Sequence, residues 1–261
     1  MNAILLAAGY GTRLYPLTRD RPKSLLPVGG RPILDYLADR LEAAPEIERM
    51  VLVSNGRFVR QFEEWATARS LAKPLKVLND GTMSNEGRLG AVGDVRFAME
   101  EGGIGGQAAY VLATDNLPRF DLRDIIALSA AKRSSAVFVC RSTDPQELKR
   151  MGIAQLDAAG RVVAFEEKPA HPKGELRVPP FYVYTAAVVG SVPAYLAAGG
   201  NPDAPGHFLE WVVPRQPVHA CRRDEGTYDI GTLETYRAVC AEFAGASGGP
   251  SPGAALHGEL L

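Results

Sequence analysis

A chain of 261 residues, nearly half of them hydrophobic, is long enough to bury the core of one large domain, the expected count here. Its 29 lysines and arginines nearly balance 30 aspartates and glutamates, so a formal net charge of −1 gives no global attraction to nucleic acid or to a membrane surface. Cys140, Cys221 and Cys240 are odd in number and form no C-x-x-C pair, so they suggest neither a disulfide framework nor a cysteine zinc site and read as reduced, mostly packed thiols.

In chain order, Met1 leads directly into an apolar run with no charged leader, and no apolar stretch reaches membrane-spanning length, so the expected location is cytoplasmic. Residues 3–8 (AILLAA) read as a parallel strand buried on both faces. Gly9 and Gly11 then let the backbone turn and bring its N–H groups against a ligand, with Arg13 and Lys23 close behind. Two cations beside exposed amides suit a polyphosphate. Residues 31–42 predict a helix with Ile33, Leu34, Leu37 and Leu41 on one face, 47–54 a second strand, 58–71 a helix with Phe62 and Trp65 inward, and 75–78 a third strand. The segment 79–94 is polar and glycine-rich, becoming helical over 95–100. A strand over 108–113 ends at Thr114-Asp115-Asn116, followed by a helix over 122–132 and a strand over 135–140.

The second half is richer in β signals. Residues 152–165 predict a hairpin turning at Ala158-Ala159-Gly160, and Glu166-Glu167-Lys168-Pro169 leads into a polar loop reaching Arg177. Strands over 181–184 and 218–222, a helix near 192–198 and a final helix over 233–243 complete the domain. Residues 244–261, rich in glycine, serine, proline and alanine, predict a disordered tail. The expected architecture is α/β: a Rossmann-like three-layer α/β/α sandwich around a predominantly parallel mixed sheet, with a β-rich portion in the second half. In such a sheet ligands collect beyond the carboxyl ends of the strands, where Gly9, Asp115 and the loop after Leu78 all lie.

The opening reads Leu6-Ala7-Ala8-Gly9-Tyr10-Gly11-Thr12-Arg13-Leu14, then Pro16-Leu17-Thr18, Pro22-Lys23, Leu25-Leu26-Pro27-Val28, and Pro32 with Tyr36. It resembles the diagnostic opening of the sugar-1-phosphate nucleotidyltransferases, the NDP-sugar pyrophosphorylases, and among them the glucose-1-phosphate thymidylyltransferase-like enzymes. A lone dinucleotide motif is a poorer reading, because G-x-G-x-x-G needs a third glycine where this chain has Leu14.

The resemblance implies that Leu6, Ala8, Gly9, Gly11, Thr12 and Arg13 bind the nucleotide and that the loop bearing Gly87 and Gly90 meets its base. It implies that Lys23 also reaches the acceptor phosphate, and that Gly152, Glu167 and Lys168 hold the sugar-1-phosphate. Position alone leaves Asp115 and Asp229 open between helix caps and metal ligands, with Thr232 competing for the cap near Asp229. The resemblance makes both carboxylates ligands of Mg²⁺. The implied reaction joins a nucleoside triphosphate, with dTTP or UTP favoured over GTP or CTP, to a sugar-1-phosphate, with Arg13, Lys23 and Lys168 as the catalytic cations. The runner-up is an inactive regulatory homologue that only binds nucleotide or sugar phosphate. No nucleic-acid or membrane partner is expected, and self-association is left open. The four histidines receive no catalytic role, although His207 lies near the expected sugar pocket.

Overall fold

In the computed structural model the described residues are 1–246. The chain runs β1 (Asn2–Leu6), a short ribbon of β2 (Pro27–Val28) and β3 (Arg31–Pro32), α1 (Ile33–Ala43), β4 (Arg49–Ser54), α2 (Val59–Arg69) and β5 (Leu75–Asn79). Next come α3 (Ala91–Glu101), β6 (Ala109–Ala113), β7 (Asn116–Pro118), α4 (Arg123–Lys132) and β8 (Ser135–Arg141). The second half holds α5 (Pro145–Leu148), β9 (Gly152–Leu156), β10 (Val162–Glu167), β11 (Leu176–Val178), β12 (Phe181–Tyr184), α6 (Ala186–Val189), α7 (Val192–Ala197) and α8 (Pro205–Val212). It closes with β13 (Val218–Arg222), β14 (Thr227–Asp229) and α9 (Leu233–Ala246).

The central sheet follows the order β10-β9-β11-β8-β12-β6-β1-β4-β5, with β13 also paired to β8. β1 lies parallel between β4 and β6, placing Leu5 opposite both Leu52 and Leu112. β12 is antiparallel to β6 and β8, so the sheet is mixed but mostly parallel on its first-half side. Successive side chains of β1 and β4 point to opposite faces. Ile4, Val51 and Val53 join Val92, Val95 and Ala98 of α3 in one core, while Leu5, Met50 and Leu52 join Leu34, Leu37 and Leu41 of α1 in the other. This is a three-layer α/β/α arrangement. Beyond β8 the strands curl: β10 pairs with β9, and a bridge between Arg161 and His219 brings the start of β10 to β13.

Three expectations change in detail. α3 begins at Ala91 rather than 95, because the N–H groups of Ala91 and Val92 donate to Asp203 O and Pro202 O of a remote segment. The polar loop expected to reach Arg177 contains β11, whose pairing with β8 and β9 buries that arginine. α9 continues to Ala246, and the rest of the expected tail, 247–261, lies outside the described residues. A third apolar cluster, including Leu14, Leu26, Ile33, Ile230 and Val239, packs α9 against the segment after the glycine loop. No helix among the described residues is long and apolar enough to cross a membrane.

Candidate active site

The carboxyl ends of β1 and β6 open into a cleft of about 770 Å³. At its floor the strand-to-loop transition is pinned from three sides. Asn55 Nδ2 donates to Ala8 O at 2.8 Å, Thr114 Oγ1 donates to Leu6 O at 2.9 Å, and Thr18 Oγ1 donates to Gly11 O at 2.7 Å. Gly11 has φ 60°, a left-handed conformation that a side chain would strain. Leu6, Ala8, Gly9, Thr12 and Arg13 all line the cleft beside it. A Cβ placed on Gly9 would meet no protein atom within 4 Å, so the backbone there faces open space rather than a packed neighbour.

Lys23 is buried and donates to Asp115 Oδ2 at 2.7 Å, while Asn116 Nδ2 donates to Asp115 Oδ1 at 2.9 Å. Burial opposes ionisation of Asp115, but the Lys23 charge and hydrogen bonds from Lys23, Asn116 and the Asp115 N–H outweigh it and hold the carboxyl below its ordinary value. The antiparallel pair β7–β14 sets Asp229 opposite Asn116, and Ile230 N donates to Asp115 O at 3.2 Å. Thus two carboxylates far apart in sequence become neighbours. Desolvation by the cleft walls and then the Asp115 charge push the Asp229 carboxyl up, against the lowering effect of Lys23, Arg13 and Arg177. Neither carboxylate caps a helix: Thr235 N donates to Thr232 Oγ1 at the start of α9, and Arg123 N donates to Asp121 Oδ1 at the start of α4. Asp115 and Asp229 are neighbouring hard-oxygen donors, and the charge of the first disfavours ionisation of the second, a cost that a divalent cation held between them would relieve.

At the other end of the cleft, Glu167 closes β10 with its side chain only 7% exposed, and Lys168 Nζ stands 3.5 Å from Glu167 Oε1. Lys168 has φ 47°, uncommon for a residue with a side chain, and its side chain is 54% exposed. Gly152, paired opposite Glu167, is a glycine because a Cβ there would collide with the Phe165 ring. A Cβ on Gly206, in the first turn of α8, would collide with the Glu167 carboxylate. Burial pushes the Glu167 carboxyl up, and Lys168 and His207 act against this. His207 itself is not among the residues lining the cleft.

The α3 wall holds residues that the sequence alone did not single out. Gly90 lines the cleft as expected, but Gly87 lies exposed in the turn Asn85–Gly87 and does not. Arg88 Nε and Nη2 donate to the two carboxylate oxygens of Asp203 at 3.0 and 2.8 Å, tying this wall to the segment before α8. Asp94 also lines the cleft. Its signal in the sequence was a carboxylate set among Val92, Val95 and Ala98 on the apolar stripe of a helix.

The family model described as nucleotidyl transferase matches residues 2–244. Over 196 residues the chain is 32% identical to a glucose-1-phosphate thymidylyltransferase of Actinoplanes sp., covering 72% of this chain and 59% of that protein. Over 190 residues it is 27% identical to a UTP–glucose-1-phosphate uridylyltransferase of Haloferax volcanii, covering 72% of this chain and 73% of that protein. The chain thus spans little more than half of the first relative. A UDP-glucose pyrophosphorylase solved with UDP-glucose superposes with a TM-score of 0.79 at 19% identity, covering 94% of this chain and 98% of the other, a likeness of fold.

Proposed function

This chain belongs to the nucleotidyl transferase family, and we propose that it joins a nucleoside triphosphate to a sugar-1-phosphate, releasing pyrophosphate and an NDP-sugar. The observation that carries this reading is the convergence on one cleft of Arg13, Lys23 and Lys168 with the neighbouring Asp115 and Asp229. An oxygen of the acceptor phosphate attacks the α-phosphorus in line. The bond from that phosphorus to the bridging oxygen breaks, and pyrophosphate leaves with the electron pair. The acceptor phosphate is anionic near neutral pH, so no general base is required and catalysis rests on alignment and counter-charge.

The open backbone of Gly9, with the left-handed turn at Gly11 and with Leu6, Ala8 and Thr12 around it, cradles the nucleotide. Arg13 offsets charge on the departing pyrophosphate, and Lys23 and Lys168 offset the repulsion between donor and acceptor phosphates. Lys168, with its backbone in the left-handed region, keeps its ammonium 3.5 Å from the Glu167 carboxylate, so cation and carboxylate face the sugar-phosphate together. Glu167, fixed between Gly152 and Gly206, accepts from sugar hydroxyls, and the Gly152 backbone lies along the sugar. Asp115 and Asp229 would hold Mg²⁺, which supplies positive charge at the α-phosphate when bound.

The test is a matrix of five nucleoside triphosphates against a panel of sugar-1-phosphates with Mg²⁺, scored by pyrophosphate release. Release with at least one pair, abolished by a chelator, is expected. Nucleotide binding without release from any pair would instead favour a regulatory binding protein.

A further inference from the structure

Asp229 stands on a strand that does not support itself. β14 pairs with β7 in a two-stranded ribbon separate from the central sheet, and a ribbon of two short strands is marginally stable alone. Its first residue, Thr227, lies opposite Pro118, which has no N–H to give the ladder. Tyr228 rests on Phe243 of α9, with ring centroids 5.7 Å apart. Beyond Asp229 the ribbon is held where Ile230 N donates to Asp115 O at 3.2 Å. At its start it meets Arg177.

Arg177 is a buried cation for which the reaction above has no use. It belongs to β11 of the central sheet, is 6% exposed, and is not among the residues lining the cleft. Nη1 donates to Thr227 Oγ1 at 3.3 Å, while Nε lies 2.9 Å from Glu147 Oε1 in an ion pair without the alignment of a hydrogen bond. Glu147, on α5, accepts in turn from Ser142 Oγ. Nη2 packs so closely on Gly226, the left-handed residue before β14, that a Cβ there would come within 2.9 Å of it. A guanidinium is costly to bury, so one that directs its fork at a turn and a strand outside its own sheet ties them to that sheet.

We propose that Arg177 is a positioning residue: through Thr227 and the Gly226 turn it holds the start of β14, and so keeps Asp229 beside Asp115 where the two carboxylates can share a divalent cation. This rests on the reading of that pair as metal ligands. The Arg177 charge also acts on Asp229 directly. Thr227→Val separates the two routes, because it removes the bond and keeps the charge and the shape of the side chain.

In the full chain, Arg177→Met and Thr227→Val are compared with wild type by amide hydrogen exchange and by Mn²⁺ binding, read from the paramagnetic resonance of the free ion. Exchange over residues 226–230 should quicken about tenfold in both variants while the β6 amides stay unchanged, since the lost bond has a charged donor. Mn²⁺ should bind both several-fold more weakly. Unchanged exchange over 226–230, a quickening shared equally by β6, or wild-type Mn²⁺ affinity overturns the assignment. So does a defect in Arg177→Met that Thr227→Val lacks, which would leave charge as the link. Thr227→Val, the milder change, decides the matter alone if Arg177→Met does not fold. Neither readout needs turnover, so a wild type that binds Mn²⁺ and releases no pyrophosphate would remove the proposed reaction and leave this role intact. A wild type that binds no Mn²⁺ overturns both.

Discussion

Asp115 and Asp94 line the same cleft and have opposite surroundings. Around Asp115 the chain supplies Lys23 at 2.7 Å and Asn116 at 2.9 Å, and these overcome burial to keep the carboxyl ionised. Around Asp94 the described residues supply no donor to Oδ1, and burial with the Asp80 charge pushes that carboxyl up to about 8. The wall formed by β6 and β14 is therefore electrostatically prepared before any ligand arrives. The α3 wall is the incomplete one, with Asp94 Oδ1 and Asp80 Oδ2 both lacking a hydrogen-bond partner among the described residues.

This contrast fails most severely if the prepared wall proves idle. Asp115→Asn and Asp229→Asn should each lower turnover by about a hundredfold or more, since each removes charge from the pair that suits a metal. Circular dichroism should report an intact fold. Near-normal rates of either variant at low millimolar Mg²⁺ would take the pair out of the chemistry. Lys168→Met comes next, with kcat/KM for the sugar-1-phosphate falling about tenfold to a hundredfold, because a charge-assisted contact is worth roughly 1.5 to 3 kcal/mol. Nucleoside triphosphate binding should hardly change. Kinetics equal to wild type would return this half-exposed lysine to the solvated surface.

Stability against pH probes the incomplete wall. The folded value of about 8 at Asp94 lies above the ordinary 3.8. Its stabilising, proton-bound state is therefore fully populated at pH 4 and is lost relative to the unfolded chain as pH rises to 8. Asp94→Asn does not titrate, so it should match the wild-type Tm near pH 4 and exceed it at pH 8, by on the order of 5 kcal/mol or about 10 °C. A Tm difference that does not vary with pH would mean the carboxyl is not strained by burial. The smallest effect is expected at Gly206→Ala. Alanine favours the helix by roughly 0.5 to 1 kcal/mol, while its Cβ forces the buried end of Glu167 to move, so the two effects on Tm oppose one another as KM for the sugar-1-phosphate rises several-fold.

The residues of the prepared wall were singled out by local motifs and, for Asp115 and Asp229, by the family resemblance, whereas the Lys23–Asp115 contact joins positions 92 apart and exists only in the fold. A strand, a glycine turn, Arg13 and Lys23 follow one another, and Asp115 ends an apolar strand. The three-layer sheet was legible from local pattern as well, through apolar runs alternating with helical stripes. Less was visible where contacts cross the chain. The start of α3 depends on carbonyls of Pro202 and Asp203, and the Arg88–Asp203 pair joins segments more than a hundred residues apart. Gly206 has meaning only once Glu167 is against it. Asp94 could be read from its place on an apolar helical stripe, but its missing partners belong to the folded chain alone.

The proposed reaction is tested at its centre by a label at the α-phosphorus of the preferred nucleoside triphosphate, followed during incubation with its sugar-1-phosphate and Mg²⁺. Attack at that phosphorus requires the label to appear in the NDP-sugar, in amounts equal to the pyrophosphate released, and to return to the triphosphate when excess pyrophosphate is added. Label recovered as nucleoside monophosphate, or left in the nucleoside diphosphate with free phosphate released, would contradict the account.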